Sequence, residues 1–97
     1  MRVLAVKALH TFWDAHPDVE ERLKAWVHDA ERSTWRTPMD IKRVYANASF
    51  LTDNRVVFNI KGNSYRLVLA INYEAGVVRV RFIGTHQNYD RIDAETI

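Results

Sequence analysis

Between residues 56 and 85 the chain alternates three β-rich runs with two short breaks, and that rhythm leaves room for little except an antiparallel meander. The runs are Val56–Ile60, Tyr65–Tyr73 and Val77–Ile83, each dense in β-branched and aromatic residues. Lys61-Gly62-Asn63-Ser64 and Glu74-Ala75-Gly76 supply the turns, because glycine and asparagine tolerate positive φ. A two-residue turn at Gly62-Asn63 sets Asn59 opposite Arg66 and Val57 opposite Val68. A three-residue turn at Glu74–Gly76 sets Arg66 opposite Gly84, Val68 opposite Phe82 and Ala70 opposite Val80. Side chains alternate between faces, so Lys61, Asn59, Arg66, Val57, Val68, Ala70, Val80 and Phe82 are expected on one face. That face is apolar at one end and polar at the other. Thr85-His86-Gln87-Asn88-Tyr89-Asp90 leaves the sheet at the polar end, which brings a cation, an amide, an imidazole and a phenol to one rim.

The remaining chain reads mainly as helices to cover the sheet. Arg2–Val6 has strand character. Leu9, Phe12, Trp13 and His16 recur at helical spacing, and a helix over Lys7–His16 must end before Pro17. Pro17 suits the first position of a second helix, with Val19, Leu23, Trp26, Val27 and Ala30 as its apolar stripe. Thr37 and Pro38 open a short helix to about Tyr45 that turns Ile41, Val44 and Tyr45 inward and Lys42 and Arg43 outward. Ser49-Phe50-Leu51 adds a few extended residues, and Arg91–Glu95 reads as a last helical turn or a frayed end. The fold class is therefore α+β, with N-terminal helices packed on a small, largely antiparallel sheet, in one domain over residues 1–97.

Composition excludes several classes. An apolar content of 47% supports a packed core, and no run approaches the roughly 20 apolar residues that span a bilayer. The N-terminal residues lack the pattern of a signal peptide, and the absence of cysteine removes disulfides and thiolate metal sites, so the expected location is cytoplasmic. The formal charge is only +2, but it is unevenly spread. Asp14–Glu31 carries a net of −4, and Arg32–Arg66 a net of +5. One basic flank suits a protein that meets phosphate on one side; a solvated mixed surface has the same composition.

Phosphate-cradling loops, nucleophile elbows and dinucleotide fingerprints are all missing. His10, His16, His28 and His86 show no paired ligand spacing, so no metal and no cofactor is expected. His86 stands apart because it follows a strand end and precedes Tyr89-Asp90. An imidazole can exchange a proton near neutral pH, Arg66 offers a planar fork for phosphate, and Tyr89 can stack on a base or donate to a phosphate oxygen. Together these groups could cleave RNA without a metal, with Lys61 and Arg66 stabilising charge on phosphorus. A structural histidine beside an Arg66 surface ion pair fits the same spacing.

Phe58-Asn59-Ile60-Lys61-Gly62-Asn63-Ser64-Tyr65-Arg66-Leu67-Val68, followed by Phe82-Ile83-Gly84-Thr85-His86-Gln87-Asn88-Tyr89-Asp90, resembles the HigB-type toxins of bacterial toxin–antitoxin pairs. The shared pattern is FNIxGNxYRL, then a strand pair, then GTHxxYD. Trp35–Lys42 and the helical N-terminus are also similar to that family, so the resemblance covers nearly the whole chain. It implies the compact RelE/ParE-type fold and mRNA cleavage, usually on the translating ribosome. Arg66, His86 and Tyr89 match positions expected in the catalytic cleft. Lys61 and Asn63 lie in the matching turn, and Lys42, Arg43 and Arg81 are further candidate RNA contacts. The expected partner is a helix-turn-helix, HigA-like antitoxin in a hetero-oligomer with the toxin, and no membrane is involved. Two alternatives stay open: a ParE-like toxin aimed at a protein such as DNA gyrase, and a non-catalytic module that binds RNA or antitoxin.

Overall fold

The structure, a computed structural model, describes residues 1–97 and begins with a short strand, β1 (Arg2–Leu4). Helix α1 (Lys7–Ala15) follows, buries Leu9 and Trp13 four residues apart, and stops at the residue before Pro17. Pro17 opens a single 3₁₀ turn over Pro17–Val19, and α2 (Glu20–Arg32) starts only after it, where Glu20 and Glu21 complement the helix dipole. Val19, Leu23, Trp26 and Ala30 form the buried stripe of this segment, as the periodicity predicts.

Helix α3 (Pro38–Val44) begins at Thr37, where the Asp40 carboxylate accepts from the backbone N–H groups of Arg36 at 2.9 Å and Thr37 at 3.2 Å. Those backbone bonds hold the Asp40 carboxyl below its ordinary range. Ile41 points inward as expected, but Val44 does not: it is 68% exposed. Ile41 and Tyr45, four apart, take the inward stripe. Val44 lies about 60° off Ile41 around the axis, which at the last turn of a short helix leaves it in solvent. Tyr45 packs edge-on against Phe58, at 5.0 Å between ring centroids.

The strands β2 (Ser49–Phe50), β3 (Arg55–Ile60), β4 (Tyr65–Asn72) and β5 (Val77–Thr85) complete one sheet in the order β1-β5-β4-β3-β2. Only β1 runs parallel to its neighbour; the other pairings are antiparallel. The β3–β4 register is the expected one, with Val57 opposite Val68 and Asn59 opposite Arg66. The β4–β5 pairing departs from expectation in two compensating ways. Asn72 pairs with Val77, so the turn has four residues, Tyr73–Gly76, rather than three. A bulge then leaves Arg81 without a partner, and the register beyond it returns to Val68–Phe82 and Arg66–Gly84. Ala70 consequently faces Arg79, and Val80 joins the helix-covered core instead of the opposite face.

That core fills one side of the sheet, where α1, α2 and α3 meet Val56, Phe58, Ile60, Leu67, Leu69 and Val78. A smaller apolar cluster of Val57, Val68 and Ala94, flanked by Leu51, Phe82, Tyr89 and Ile97, occupies the other side. Arg91–Glu95 is thus not a frayed end: it runs into one turn in which the Thr96 and Ile97 N–H groups donate to the Asp93 carbonyl at 3.1 and 3.3 Å. After a short helix, α4 (His86–Tyr89), the chain folds back over the second face, and Arg55 donates from Nε at 3.0 Å and Nη2 at 2.7 Å to the main-chain oxygen of Ile97. No helix is long and apolar enough to cross a membrane.

Candidate active site at the end of the central hairpin

The polar end of the second face is assembled by pairing, not by loops. Asn59, Arg66 and Gly84 stand side by side on β3, β4 and β5. Directly after Gly84 the strand becomes helix, and Thr85 is the cap: its Oγ1 accepts from the Asn88 N–H at 3.1 Å, and Asn88 Oδ1 accepts from the Thr85 N–H at 3.4 Å. The His86 N–H donates to the Ser64 carbonyl at 3.1 Å, which ties α4 to the β3–β4 turn. Gly84 makes the close packing possible. A Cβ there would stand 2.6 Å from Phe82 Cζ and 3.2 Å from Asn88 Cβ.

Arg66, His86 and Tyr89 meet in this frame. The Arg66 guanidinium donates from Nη1 to the Asn63 carbonyl at 3.1 Å and lies 3.2 Å from His86 Nδ1 through Nη2. Its central carbon sits 5.9 Å from the Tyr89 ring centroid, a cation–π distance. Tyr89 in turn leans on Phe82, with centroids 6.4 Å apart. On the far side of the imidazole, His86 Nε2 is 3.2 Å from Asp90 Oδ2. Asp90 was not among the candidate residues. Its signal was the i,i+4 spacing from His86 within the GTHxxYD segment, which places both side chains on one side of a helical turn.

The other candidate residues are dispersed. Lys61 turns toward the helix side, where its Nζ is 2.8 Å from Asp18 Oδ2 and shares that oxygen with the Tyr65 hydroxyl. The Lys61 hydrogen bond, followed by the Tyr65 one, holds the Asp18 carboxyl below its ordinary range. The same carboxylate raises the Tyr65 phenol above its usual value. The register face expected to include Lys61 therefore ends at Asn59. Lys61 itself has a positive φ of 53°, which swings its side chain away. Asn63 contributes its carbonyl to Arg66. Lys42 donates to the Ala48 carbonyl at 2.9 Å and covers Phe50 at the β2 edge, with β3 between it and β4, and Arg43 is 3.7 Å from Asp40 on its own helix. Arg81 is exposed at the bulge.

The cluster is open to solvent, with His86 and Asp90 side chains 48% and 61% accessible. Beside it, a depression of about 420 Å³ is lined by Leu51, Tyr89, Asp90 and tail residues including Asp93 and Glu95. An open rim of this kind can engage an extended polymer but cannot enclose a small molecule. Chemically it offers a fixed cation for a phosphate, an imidazole with two polarised nitrogens and a ring for stacking.

Comparison with known proteins points the same way. The family profile described as "HigB_toxin, RelE-like toxic component of a toxin-antitoxin system" matches residues 19–92. The chain is 28% identical over 93 residues to the mRNA interferase toxin HigB of Escherichia coli (strain K12), covering 93% of this chain and 88% of that protein. The mRNA interferases HigB of Escherichia coli O157:H7 and Shigella flexneri match at the same identity and coverage.

Proposed function

The chain belongs to the HigB family of RelE-like toxins of toxin–antitoxin systems, and from that premise we propose that it is an endoribonuclease that cuts mRNA on the translating ribosome and so stops growth. The observation that carries the reading is the contact of Arg66 with both His86, at 3.2 Å, and the face of Tyr89. Those groups supply what cleavage by the ribose 2′-hydroxyl requires. His86 takes the 2′-hydroxyl proton as the 2′-oxygen–phosphorus bond forms. Arg66 holds the charge that gathers on the phosphoryl oxygens. The phosphorus–5′-oxygen bond then breaks, the Tyr89 hydroxyl protonates the leaving oxygen, and the products are a 2′,3′-cyclic phosphate and a 5′-hydroxyl. Every step is met by a side chain of the cluster, so the mechanism we propose is metal-independent.

The open rim favours a substrate held in place by a larger body, and a ribosome-bound message is such a substrate. Lys42, Arg43, Arg81, Asn63 and, after release from Asp18, Lys61 provide contacts for the RNA backbone beyond the scissile phosphate. The cytoplasm is the site of action, and the partner that neutralises the toxin is a small HigA-like, helix-turn-helix antitoxin.

The test is induced expression of the wild type, His86→Ala and Arg66→Ala, with mRNA 5′ ends mapped after induction. New ends and growth arrest are expected for the wild type, with cleavage reduced about 100-fold or more in either variant. Arrest with intact mRNA would refute the nuclease and move the target to a protein such as DNA gyrase.

A further inference from the structure

We infer that Asp90 is a positioning residue for cleavage: it holds neutral His86 in the Nε2–H tautomer, so that Nδ1, on the side facing Arg66, is the atom that accepts the substrate proton. The inference rests on the nuclease reading for its functional meaning, but its structural half stands on the hydrogen bonds alone.

A neutral imidazole has one donor and one acceptor nitrogen, and a guanidinium can only donate. Arg66 Nη2 lies 3.2 Å from His86 Nδ1, so in the neutral ring Nδ1 must be the acceptor. The proton then sits on Nε2, which faces the Asp90 carboxylate at 3.2 Å. The opposite tautomer would set an N–H against the guanidinium and a lone pair against the carboxylate, and both contacts would be repulsive. Arg66 from β4 and Asp90 from α4 thus act together to choose one tautomer. Both ends of the contact are fixed in place: the Asp90 N–H donates to the His86 carbonyl at 3.1 Å, and α4 is capped by Thr85.

The arrangement also links binding to proton transfer. In the free protein the Nδ1 lone pair is occupied by Arg66. When a phosphate arrives, Arg66 turns its Nη2 to a phosphoryl oxygen and uncovers Nδ1 beside the 2′-hydroxyl. That nitrogen takes the 2′-hydroxyl proton, and the imidazolium so formed keeps its Nε2–H against the Asp90 carboxylate, which stabilises the new charge. A carboxylate that orients a catalytic imidazole in this way is a positioning group, not a proton acceptor.

The test combines ring-¹⁵N NMR of His86 with steady-state cleavage of a defined mRNA in a purified translation system. In the wild type, at a pH where His86 is neutral, Nε2 is expected to be protonated and Nδ1 bare. With Arg66→Ala also in place, so that Arg66 no longer selects Nδ1 as the acceptor, Asp90→Ala is expected to mix the tautomers; alone it is expected to lower kcat about 10- to 100-fold with KM little changed. Asp90→Glu should restore both the tautomer and most of the rate. Asp90→Asn keeps an acceptor oxygen without the charge, so it should preserve the tautomer while kcat still falls; it also serves if the alanine variant loosens α4. An unmixed Nε2–H tautomer in the Arg66→Ala/Asp90→Ala double variant, or an unchanged kcat in both Asp90→Ala and Asp90→Asn, overturns the inference. If the wild type leaves the mRNA intact, the nuclease reading fails instead, whatever the tautomer; if His86→Ala cleaves at the wild-type rate, His86 is not the base and the inference falls while the nuclease stands.

Discussion

At the scale of single residues, Arg66 matters because its planar fork spends one nitrogen on the Asn63 carbonyl and aims the other at His86. A lysine at 66 would carry the charge but not the fork, so Arg66→Lys should leave the melting temperature within a degree or two and reduce cleavage about 100-fold. Parallel melting and cleavage assays check this; near-wild-type cleavage would contradict it. Gly84 is the converse case, a residue defined by what cannot stand there. Gly84→Ala drives a methyl into the Phe82 ring and against Asn88, and overpacking of this kind costs about 1–3 kcal/mol. A denaturant titration should show that loss, and Phe82→Leu in the same chain should recover part of it. Arg66, His86 and Tyr89 were legible in the sequence because turn chemistry and strand alternation place them at one rim. Lys61 was not, because a positive φ at one turn residue breaks the alternation that predicted its face. Asp90 was hidden by its own ordinariness, one acid in a polar stretch until a helical turn gives it a partner.

At the scale of elements, the helices and the three-stranded meander follow from periodicity and turn signals. The failures fall at element ends, where packing outweighs pattern, and at the Arg81 bulge inside β5. The junction of α2 and α3 illustrates how such an end is held. Tyr45 closes α3, donates to Asp29 Oδ2 at 3.3 Å, and has its phenol pushed up to about 12, first by burial and then by the Asp29 charge. A phenol raised in the folded state contributes stability that is fully present below its unfolded pKa of about 10. That contribution is lost as the pH rises toward the folded value. Thermal melts between pH 9 and 12 should therefore decline, and Tyr45→Phe should flatten part of the decline. Tyr65 and Tyr73 shift in the same direction, so some of it should remain. An unaltered slope in Tyr45→Phe would refute this account. The Asp18 contact with Lys61 and Tyr65 has the opposite sign, since its carboxyl is lowered on folding. Its contribution is present above the ordinary carboxylate range and fades as acid titrates it, and Asp18→Asn should make acid unfolding less steep.

At the scale of the molecule, the two faces of the sheet have separate duties. The helix-covered face holds most of the core, and the other carries the candidate site under a short helix and a folded-back tail. The sequence reading reached the first face from its amphipathic stripes. It missed how the tail packs because one alanine and two isoleucines among polar residues give no period to read. The tail is anchored by Arg55 on the main-chain oxygen of Ile97, and a charged donor of this kind contributes about 1.5–3 kcal/mol. Arg55→Ala should then speed amide exchange in residues 90–97 by roughly 10- to 100-fold, with the β4 and α2 amides still protected. Uniform acceleration across the chain would instead mean that the tail and core open together. The bulge at Arg81 gives the two ends of the central hairpin independent phase. Because the strand slips by one residue there, the length of the Tyr73–Gly76 turn and the placement of Arg66 against Gly84 are not rigidly geared. The far turn is therefore the place where this scaffold can accept an insertion, a label or the drift of evolution while its candidate rim keeps its shape.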